Sequence, residues 1–380
     1  MFKHIARLLI TITLVSAPAL AQGPGELSPE LVAELQDLMD AETATSIPPG
    51  MVLWIDAPEL QFAGASGFAD VAAGVPMPPE GAFRVGSITK TFTAVIMLQL
   101  AEEGALSLDD ALADWLPDVA AALPHGDQIT LHHLLSHTSG LYNLTANMDY
   151  VSDTLGRAEV DAATQTAVGA CADADPYTIL ERYIYGQRPQ FEPGAMWAYN
   201  NTGFMLLGMV IEAAAGEPLA DLYRARILEP LGMADTFLDC YEPATIEIVH
   251  GYSDIISGDV IDVTAVHEAA AWSGGGLVST APDLIKFIRG LFSGQLFSDP
   301  ASLQAMTTGT EANISYGLGL MLIGAARYGH DGRMAGFRSL LHYSAEYDTA
   351  LVVLYNFETK APDPIAAAAW EIVRPVLEDE

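Results

Sequence analysis

The two ends of the chain carry the strand-forming segments, and the middle is mostly helical. Apolar runs bounded by turn residues predict strands over 51–56, 60–69, 315–323, 325–330, 337–344 and 349–356. Between about residues 82 and 290 the apolar residues recur mostly at helical spacing. This order predicts an α+β fold. Both chain ends, about 28–80 and 300–380, build one antiparallel sheet flanked by helices, and a large helical region is inserted between them.

Several residues mark where individual helices begin and end. Ser28 followed by Pro29 predicts a helix start, with the serine as the N-cap, and that helix is expected to run to about Ala41. Gly216 is expected to end a helix over 202–215. A last Ala-rich helix is predicted from about residue 363 to 377.

The first 21 residues have the pattern of a cleavable export signal. Lys3 and Arg7 accompany an apolar run over residues 8–15, and Ala19-Leu20-Ala21 follows it as a small-residue cleavage site. We therefore expect cleavage after Ala21, a mature chain of residues 22–380 and a periplasmic or secreted location. The apolar run is too short to span a bilayer, and we expect no stable membrane insertion.

Charge and cysteine content narrow the possible partners. The formal net charge is −33, so the surface repels nucleic acid, and we expect no nucleic-acid partner. Cys171 and Cys240 are the only cysteines. In an oxidising compartment they could form a disulfide, and the alternative is two free, buried thiols.

Ser87 and Lys90 are the strongest candidates for chemistry. They lie three residues apart at the start of a predicted helix, so both side chains share one helix face and the amine can reach the hydroxyl. Serine is a poor nucleophile until a neighbouring base takes its proton. Lys90 is one of four lysines in the chain, so a chance match to this spacing is uncommon.

Three further segments offer partners for this pair. Tyr199 is a weak base unless a cation such as Lys90 stabilises its phenolate, and either that phenolate or a neutral Lys90 could take the serine proton. The amide of Asn201 can both donate and accept. His330-Asp331-Gly332 is expected at a strand end, where the histidine can donate a hydrogen bond or carry charge and the glycine admits a substrate backbone. Trp272 is expected either to pack on substrate in a cleft or to lie in the core.

Together, these segments resemble the serine hydrolases of the penicillin-recognising superfamily. The similar segments are Phe83 to Ala94, Leu134 to Leu141, Tyr199 to Gly208 and Gly275 to Leu284. The branch that they resemble contains class C β-lactamases, D-alanyl-D-alanine carboxypeptidases, D-aminopeptidases and family VIII carboxylesterases. The resemblance covers about residues 30–375 and implies a β-lactamase/transpeptidase-like fold over the mature chain.

The resemblance also implies roles by position. Ser87 would be the acylated nucleophile, Lys90 would hold and activate it, and Tyr199 would be the general base. Asn201 would orient Lys90 and the substrate, and the backbone N–H groups of Ser87 and Arg333 would form the oxyanion hole. No metal or other cofactor is implied. His133 and His137 have a spacing that could suit a metal on a helix, but no acidic third ligand is evident.

One departure from the branch bears on the substrate. Where its β-lactamases carry Lys-Thr-Gly, this chain has His330-Asp331-Gly332, which weakens attraction for a substrate carboxylate unless Arg333 compensates. We therefore expect an exported acyl-enzyme hydrolase of small esters or D-amino-acid peptides. The alternatives are a class C-like β-lactamase and a non-catalytic protein that binds peptidoglycan-like peptides. The weakly periodic segment 143–176 is expected to border the site.

Overall fold

The computed structural model describes residues 27–44, 50–156, 159–161, 166–168, 175–255, 258–324 and 326–378. Its strands are β1 Met51–Asp56, β2 Gln61–Ser66, β3 Phe68–Asp70, β4 Val75–Pro76, β5 Ala82–Arg84, β6 Glu159–Asp161, β7 Thr166–Val168, β8 Phe237–Leu238, β9 Tyr252–Ser253, β10 Ile261–Ala265, β11 Leu277–Thr280, β12 Met321–Leu322, β13 Arg327–Met334, β14 Phe337–Ser344 and β15 Thr349–Tyr355.

Helices occupy most of the remaining chain. They are α1 Pro29–Thr43, α2 Thr89–Glu102, α3 Leu112–Trp115, α4 Pro117–Ala122, α5 Leu131–Leu135, α6 Met148–Gly156, α7 Pro176–Tyr183, α8 Asn201–Ala215, α9 Leu219–Tyr223, α10 Glu229–Leu231, α11 Trp272–Gly275, α12 Ala281–Phe292, α13 Pro300–Met306 and α14 Pro362–Glu378. The residues predicted to bound helices do so. The Ser28 hydroxyl accepts a hydrogen bond from the Leu31 amide at the start of α1, and Gly216 ends α8 in the left-handed conformation.

A six-stranded sheet lies at the centre of the fold, with the strand order β12-β13-β14-β15-β1-β2. Every neighbouring pair is antiparallel. The first and last strands of the chain meet in its middle, where Met51 lies opposite Tyr355 and Asp56 opposite Ala350. The predicted α+β fold, with one antiparallel sheet built from both chain ends, is therefore confirmed.

The sheet separates two hydrophobic clusters because successive side chains along a strand point to opposite faces. On one face Leu53 and Val353 pack with α1 and α14. On the other face Val52 and Val352 join the larger cluster, which contains the central helix α2. Helix α2 is buried on almost every side, as expected of a helix enclosed by other elements.

The region predicted as mostly helical also contains small sheets. Strand β11 pairs with β5 and β8, and β10 pairs with β7 and β9, so 82–290 is not purely helical. These strands have two to five residues, too few for a period-two pattern to stand out among the neighbouring helices.

The strand predicted over 315–323 is largely wrong. Only Met321–Leu322 forms a strand, because the chain turns at Gly317, whose amide donates to the Leu320 carbonyl at 2.9 Å. The Gly319 carbonyl then accepts from the Thr91 hydroxyl at 2.8 Å, which ties this segment to α2. Contacts with the central helix have replaced strand pairing here.

Within the described ranges no single helix is long and apolar enough to cross a bilayer. The segments Asn201–Ala215 and Leu219–Leu231 together have the length and hydropathy of a membrane span, but the chain bends by 82° between them. The predicted export signal, residues 1–21, lies outside the described residues.

Candidate active site

A tight turn places Ser87 at the N-terminal end of the central helix α2. Residues Gly86–Ile88 form one 3₁₀ turn that leads directly into α2. Gly86 has a φ of 53°, and a Cβ atom added there would lie only 2.6 Å from the backbone nitrogen of Arg333. The Thr89 hydroxyl donates to the Gly86 carbonyl at 2.7 Å. The nucleophile turn is therefore locked against strand β13.

Lys90 lies one turn along α2 and is completely buried, at 0% exposure. Its amine donates to the Ser87 hydroxyl at 2.9 Å, to the Asn201 side-chain oxygen at 2.8 Å and to the Gly274 carbonyl at 2.6 Å. Burial lowers the pKa of Lys90 to about 7, against the opposing negative charge of Asp331. A large share of Lys90 is therefore neutral amine near pH 7 and able to accept a proton.

The start of helix α8 brings Tyr199 and Asn201 to the same place. Asn200 caps the helix by accepting from the Gly203 amide at 2.8 Å, so Tyr199 and Asn201 lie at the N-terminal end of α8. The amide nitrogen of Asn201 donates to Asn143 and Thr145 at 3.3 and 3.1 Å. These bonds turn its oxygen towards Lys90.

Tyr199 lies close to Lys90. Its ring centroid is 4.9 Å from the Lys90 nitrogen. Burial raises the pKa of Tyr199 well above its usual range, and the Ser87 hydroxyl only partly offsets this. Tyr199 is thus held as the neutral phenol, which favours Lys90 as the proton acceptor of the two. The expected role of Tyr199 as the general base stays a prediction.

A buried histidine supports Tyr199 from behind. The ring of His137 lies 4.4 Å from that of Tyr199, and its Nδ1 accepts from the Asn200 amide at 3.1 Å. Burial lowers the pKa of His137 well below its usual range, so the imidazole is neutral. His133 accepts instead from the Thr130 amide at 3.2 Å.

These groups open onto one cavity of about 520 Å³. Ser87, Tyr199, Asn201 and Arg333 all line it. That volume suits a small-molecule substrate. Asn143, Thr145 and Tyr150 line it as well, so the described part of segment 143–176 does border the site, as expected.

The expected role of His330 needs correction. Its side chain is 1% exposed and lies inside β13, which continues to Met334 rather than ending at the histidine. Nδ1 donates to the Asp331 carbonyl at 2.6 Å, which leaves Nε2 to accept from the Tyr316 hydroxyl at 3.1 Å. Burial and, to a smaller extent, the nearby Lys90 amine lower the pKa of His330 to about 3. His330 is therefore a neutral packing residue that cannot attract a carboxylate.

Gly332 and Arg333 have neighbours that the sequence did not indicate. A Cβ atom on Gly332 would lie 2.0 Å from the Val85 carbonyl oxygen, so the glycine admits the chain's own loop before Ser87, and approach of a substrate backbone there stays a prediction. The Arg333 side chain is paired with Glu358 through two nitrogens, at 2.7 and 3.1 Å. Its charge is thus already compensated.

Trp272 belongs to the core. It is 3% exposed, does not line the cavity and stacks on Tyr241 with ring centroids 5.9 Å apart. Its backbone has a φ of 32°, a strained value for a residue with a side chain. The following residues, Gly274 and Gly275, do line the cavity. The strained turn therefore delivers a carbonyl to Lys90 while the indole ring anchors it.

The predicted disulfide joins one described residue, Cys240, to one that lies outside the described ranges, Cys171. Cys240 is disulfide-bonded, and Cys171 lies outside the described residues, so the pairing of these two stays a prediction. Among the described residues one group, Asp239, Cys240 and His267, has the spacing of a metal site. Cys240 offers no thiolate while it is disulfide-bonded, and Asp239 is already paired with Arg84 at 2.9 Å.

Sequence reasoning missed several residues of the site. Asn143 and Thr145 orient Asn201, and Tyr316 supports His330. Asn143 follows the recognised Leu134–Leu141 segment by two residues, so its place beside that motif could have drawn attention to it. Glu268 and Glu358 also line the cavity, and nothing in their local sequence indicates this.

Comparison with known proteins agrees with this geometry. Residues 34–373 match the beta-lactamase family. Esterase EstB of Burkholderia gladioli is 36% identical over 49% of this chain and 45% of its own length. A D-aminopeptidase of Brucella ovis is 30% identical over 83% of this chain and 58% of its own length. A D-stereospecific amidohydrolase structure from Streptomyces has a TM-score of 0.76 and 30% identity, covering 89% of this chain and 97% of that one.

The chain belongs to the beta-lactamase family, and its fold is similar to that of the D-stereospecific amidohydrolase structure. It spans about half the length of the esterase and less than two thirds of the D-aminopeptidase. Those relatives are named for ester and peptide hydrolysis, and the solved structure for amide hydrolysis.

Proposed function

We propose that this protein hydrolyses small esters, or amides and peptides of D-amino acids, through an acyl-enzyme on Ser87. The observation that carries the proposal is the 2.9 Å contact between the Ser87 hydroxyl and the buried amine of Lys90, whose pKa is about 7. The names of the esterase, D-aminopeptidase and D-stereospecific amidohydrolase relatives support the substrate class.

The reaction follows from the positions of the side chains. The Ser87 oxygen attacks the acyl carbonyl carbon while its proton passes to the neutral Lys90 amine. Backbone N–H groups of Ser87 and Arg333 donate to the oxygen that becomes negative, each donor contributing about 3–4 kcal/mol. The bond to the leaving group then breaks. The leaving group takes a proton from the Tyr199 hydroxyl, which regains one from the Lys90 ammonium.

Deacylation repeats the sequence with water as the nucleophile. Water attacks the acyl ester and its proton passes to Lys90. The acyl–oxygen bond to Ser87 then breaks, the Lys90 ammonium returns the proton to the Ser87 oxygen, and the product acid leaves. Asn201 holds the Lys90 amine in place through both halves of the cycle. No cofactor enters these steps.

The charges around the cavity argue against β-lactam hydrolysis as the main activity. A β-lactam antibiotic presents a carboxylate near its reactive carbonyl. His330 is neutral, and the Arg333 guanidinium is already bound to Glu358. Neither offers an uncompensated positive charge to that carboxylate, so β-lactams are expected to be poor substrates.

A substrate panel with an active-site probe tests the proposal. A fluorophosphonate should label the protein but not Ser87→Ala, whereas the exposed control Ser315→Ala should label normally. Turnover of p-nitrophenyl butyrate and a D-alanine anilide should exceed that of a chromogenic cephalosporin. Absence of labelling would favour a non-catalytic binding protein, and faster turnover of the cephalosporin would favour a β-lactamase.

We also propose export, with removal of residues 1–21. The charge and hydropathy pattern of that segment supports the proposal. Expression of the full chain in a bacterium with separate periplasmic and cytoplasmic fractions tests it. The mass of the periplasmic protein should correspond to a start at residue 22, and retention of the full chain in the cytoplasm would contradict export.

A further inference from the structure

The charges that line the catalytic cavity do not cancel. Among the described residues, the charged ones that line it are Glu268, Arg333 and Glu358. Glu358 is almost buried and its ion pair with Arg333 spans 2.7 Å. Glu358 also accepts from the Ser253 hydroxyl at 2.7 Å. With this pair neutralised, Glu268 leaves the cavity wall with one excess negative charge.

Glu268 is anchored by a backbone amide, and the two arginines that act on its charge, Arg84 and Arg333, pair with Asp239 and Glu358 instead. One carboxylate oxygen accepts from the Ala335 amide at 2.6 Å. Among the described residues it forms no ion pair, and no hydrogen bond to its second oxygen is found there. Burial and the negative charge of Glu358 raise the pKa of Glu268, and the bond from the Ala335 amide and the charges of Arg84 and Arg333 only partly offset this. A bound cation would relieve both effects.

The anchoring of Glu268 also fixes its position relative to the reacting carbonyl. Ala335 is two residues from Arg333, whose N–H group is assigned to the oxyanion hole. Two residues of extended chain span roughly 7 Å, so this carboxylate lies near the place where the acyl carbonyl must bind. An ammonium group close to that carbonyl, as in an amino-acid amide, ester or short peptide, fits this spacing.

We propose that Glu268 is the specificity-determining residue that receives the ammonium group of the substrate. The proposal rests on the proposed function for the reaction and adds the substrate feature that is selected. Substrates with a free amino group beside the acyl carbonyl are favoured by the charge-assisted hydrogen bond. N-acylated analogues lose that bond.

Equilibrium binding to a catalytically silent variant tests this independently of turnover. In the Ser87→Ala protein, D-alaninamide should bind about 10- to 100-fold more tightly than N-acetyl-D-alaninamide, as measured by calorimetry. In Ser87→Ala/Glu268→Gln that preference should fall to within about twofold. The matched control Ser87→Ala/Glu346→Gln, which alters an exposed glutamate, should keep it.

The outcomes separate this inference from the proposed function. Equal binding of the two amides to Ser87→Ala, or a preference that survives Glu268→Gln, would overturn the role of Glu268. Turnover of p-nitrophenyl butyrate by the unmodified protein, lost in Ser87→Ala, would leave the proposed function standing in that case. If thermal melting shows that Glu268→Gln does not fold, the binding of the two amides is compared on Ser87→Ala/Glu268→Asp instead. The preference measured on Ser87→Ala is the reference for that comparison.

Discussion

The amine of Lys90 lies 2.9 Å from the hydroxyl oxygen of Ser87, inside a helix that is buried on almost every side. A charged lysine in such a place costs free energy, and the protein meets that cost partly with three hydrogen bonds and partly by lowering the pKa. The same burial that makes the ammonium unfavourable therefore supplies the base that serine needs.

Removing the Lys90 amine should abolish most of the activity. Lys90→Ala deletes the proton acceptor, and kcat/KM for p-nitrophenyl butyrate should fall by about 10³-fold, within the usual range for loss of a general base. The control Lys286→Ala removes a partly exposed lysine on α12 and should stay within about twofold of the unaltered protein. A loss of less than tenfold in Lys90→Ala would show that another group takes the proton.

Activity should rise with pH through the titration of Lys90. Below pH 7 the amine is mostly protonated and cannot accept the serine proton, and above it the neutral form predominates. For a neutral ester, kcat/KM should increase with a slope of one on a logarithmic plot and level off above a midpoint near pH 7. Steady-state rates between pH 5 and 9 measure this, and a flat profile would be inconsistent with Lys90 as the base.

A carboxylate beside Lys90 should move that midpoint upwards. Asn201→Asp places a negative charge where the amide oxygen now lies, 2.8 Å from the amine, and so stabilises the ammonium form. An opposite charge this close raises the midpoint by about 1–3 pH units. The control Asn313→Asp, far along the chain, should keep the original profile. An unchanged midpoint in Asn201→Asp would mean that the titrating group is not Lys90.

Gly332 should be intolerant of even one added methyl group. In Gly332→Ala the new Cβ atom would lie 2.0 Å from the Val85 carbonyl oxygen and 2.3 Å from the Ser339 hydroxyl, so β13 must move away from the nucleophile turn. We expect a loss of about 1–3 kcal/mol in the free energy of unfolding, together with reduced kcat.

Gly203→Ala provides the matched control for that substitution. Its added Cβ atom would make only ordinary contacts, the nearest at 3.5 Å, within helix α8. Its free energy of unfolding should change by less than about 1 kcal/mol. Denaturant titration compares the two variants, and equal stability would show that the close approach at Gly332 is unimportant.

Much of the fold could be predicted because local and global signals agree. Ser28 and Pro29 start α1 as their chemistry dictates, and β1 begins and ends at the predicted residues. The prediction of a strand over 315–323 was wrong because the conformation of this segment depends on the turn at Gly317 and on contacts with α2, which is distant in sequence. Short strands such as β8 were missed for a similar reason, since their partners decide their conformation.

The residues of the site could be predicted where they belong to a sequence motif. The charge state and exposure of the site residues could not be predicted, because these depend on burial in the folded protein. Ser87, Lys90, Tyr199 and Asn201 come together as expected. Sequence could not reveal that Trp272 and His330 are buried, or that burial moves the pKa of Tyr199 up and that of Lys90 down. Those directions depend on the surroundings that the fold supplies, and they favour Lys90 over Tyr199 as the proposed base.

The most direct test of the account is the mass of the protein caught during turnover. After rapid acid quenching with p-nitrophenyl butyrate, the account predicts a mass increase of one butyryl group, located by peptide mapping on Ser87. The adduct should be absent from Ser87→Ala and should form far more slowly in Lys90→Ala. Turnover without any adduct, or an adduct on another residue, would contradict an acyl-enzyme formed by Ser87 and Lys90.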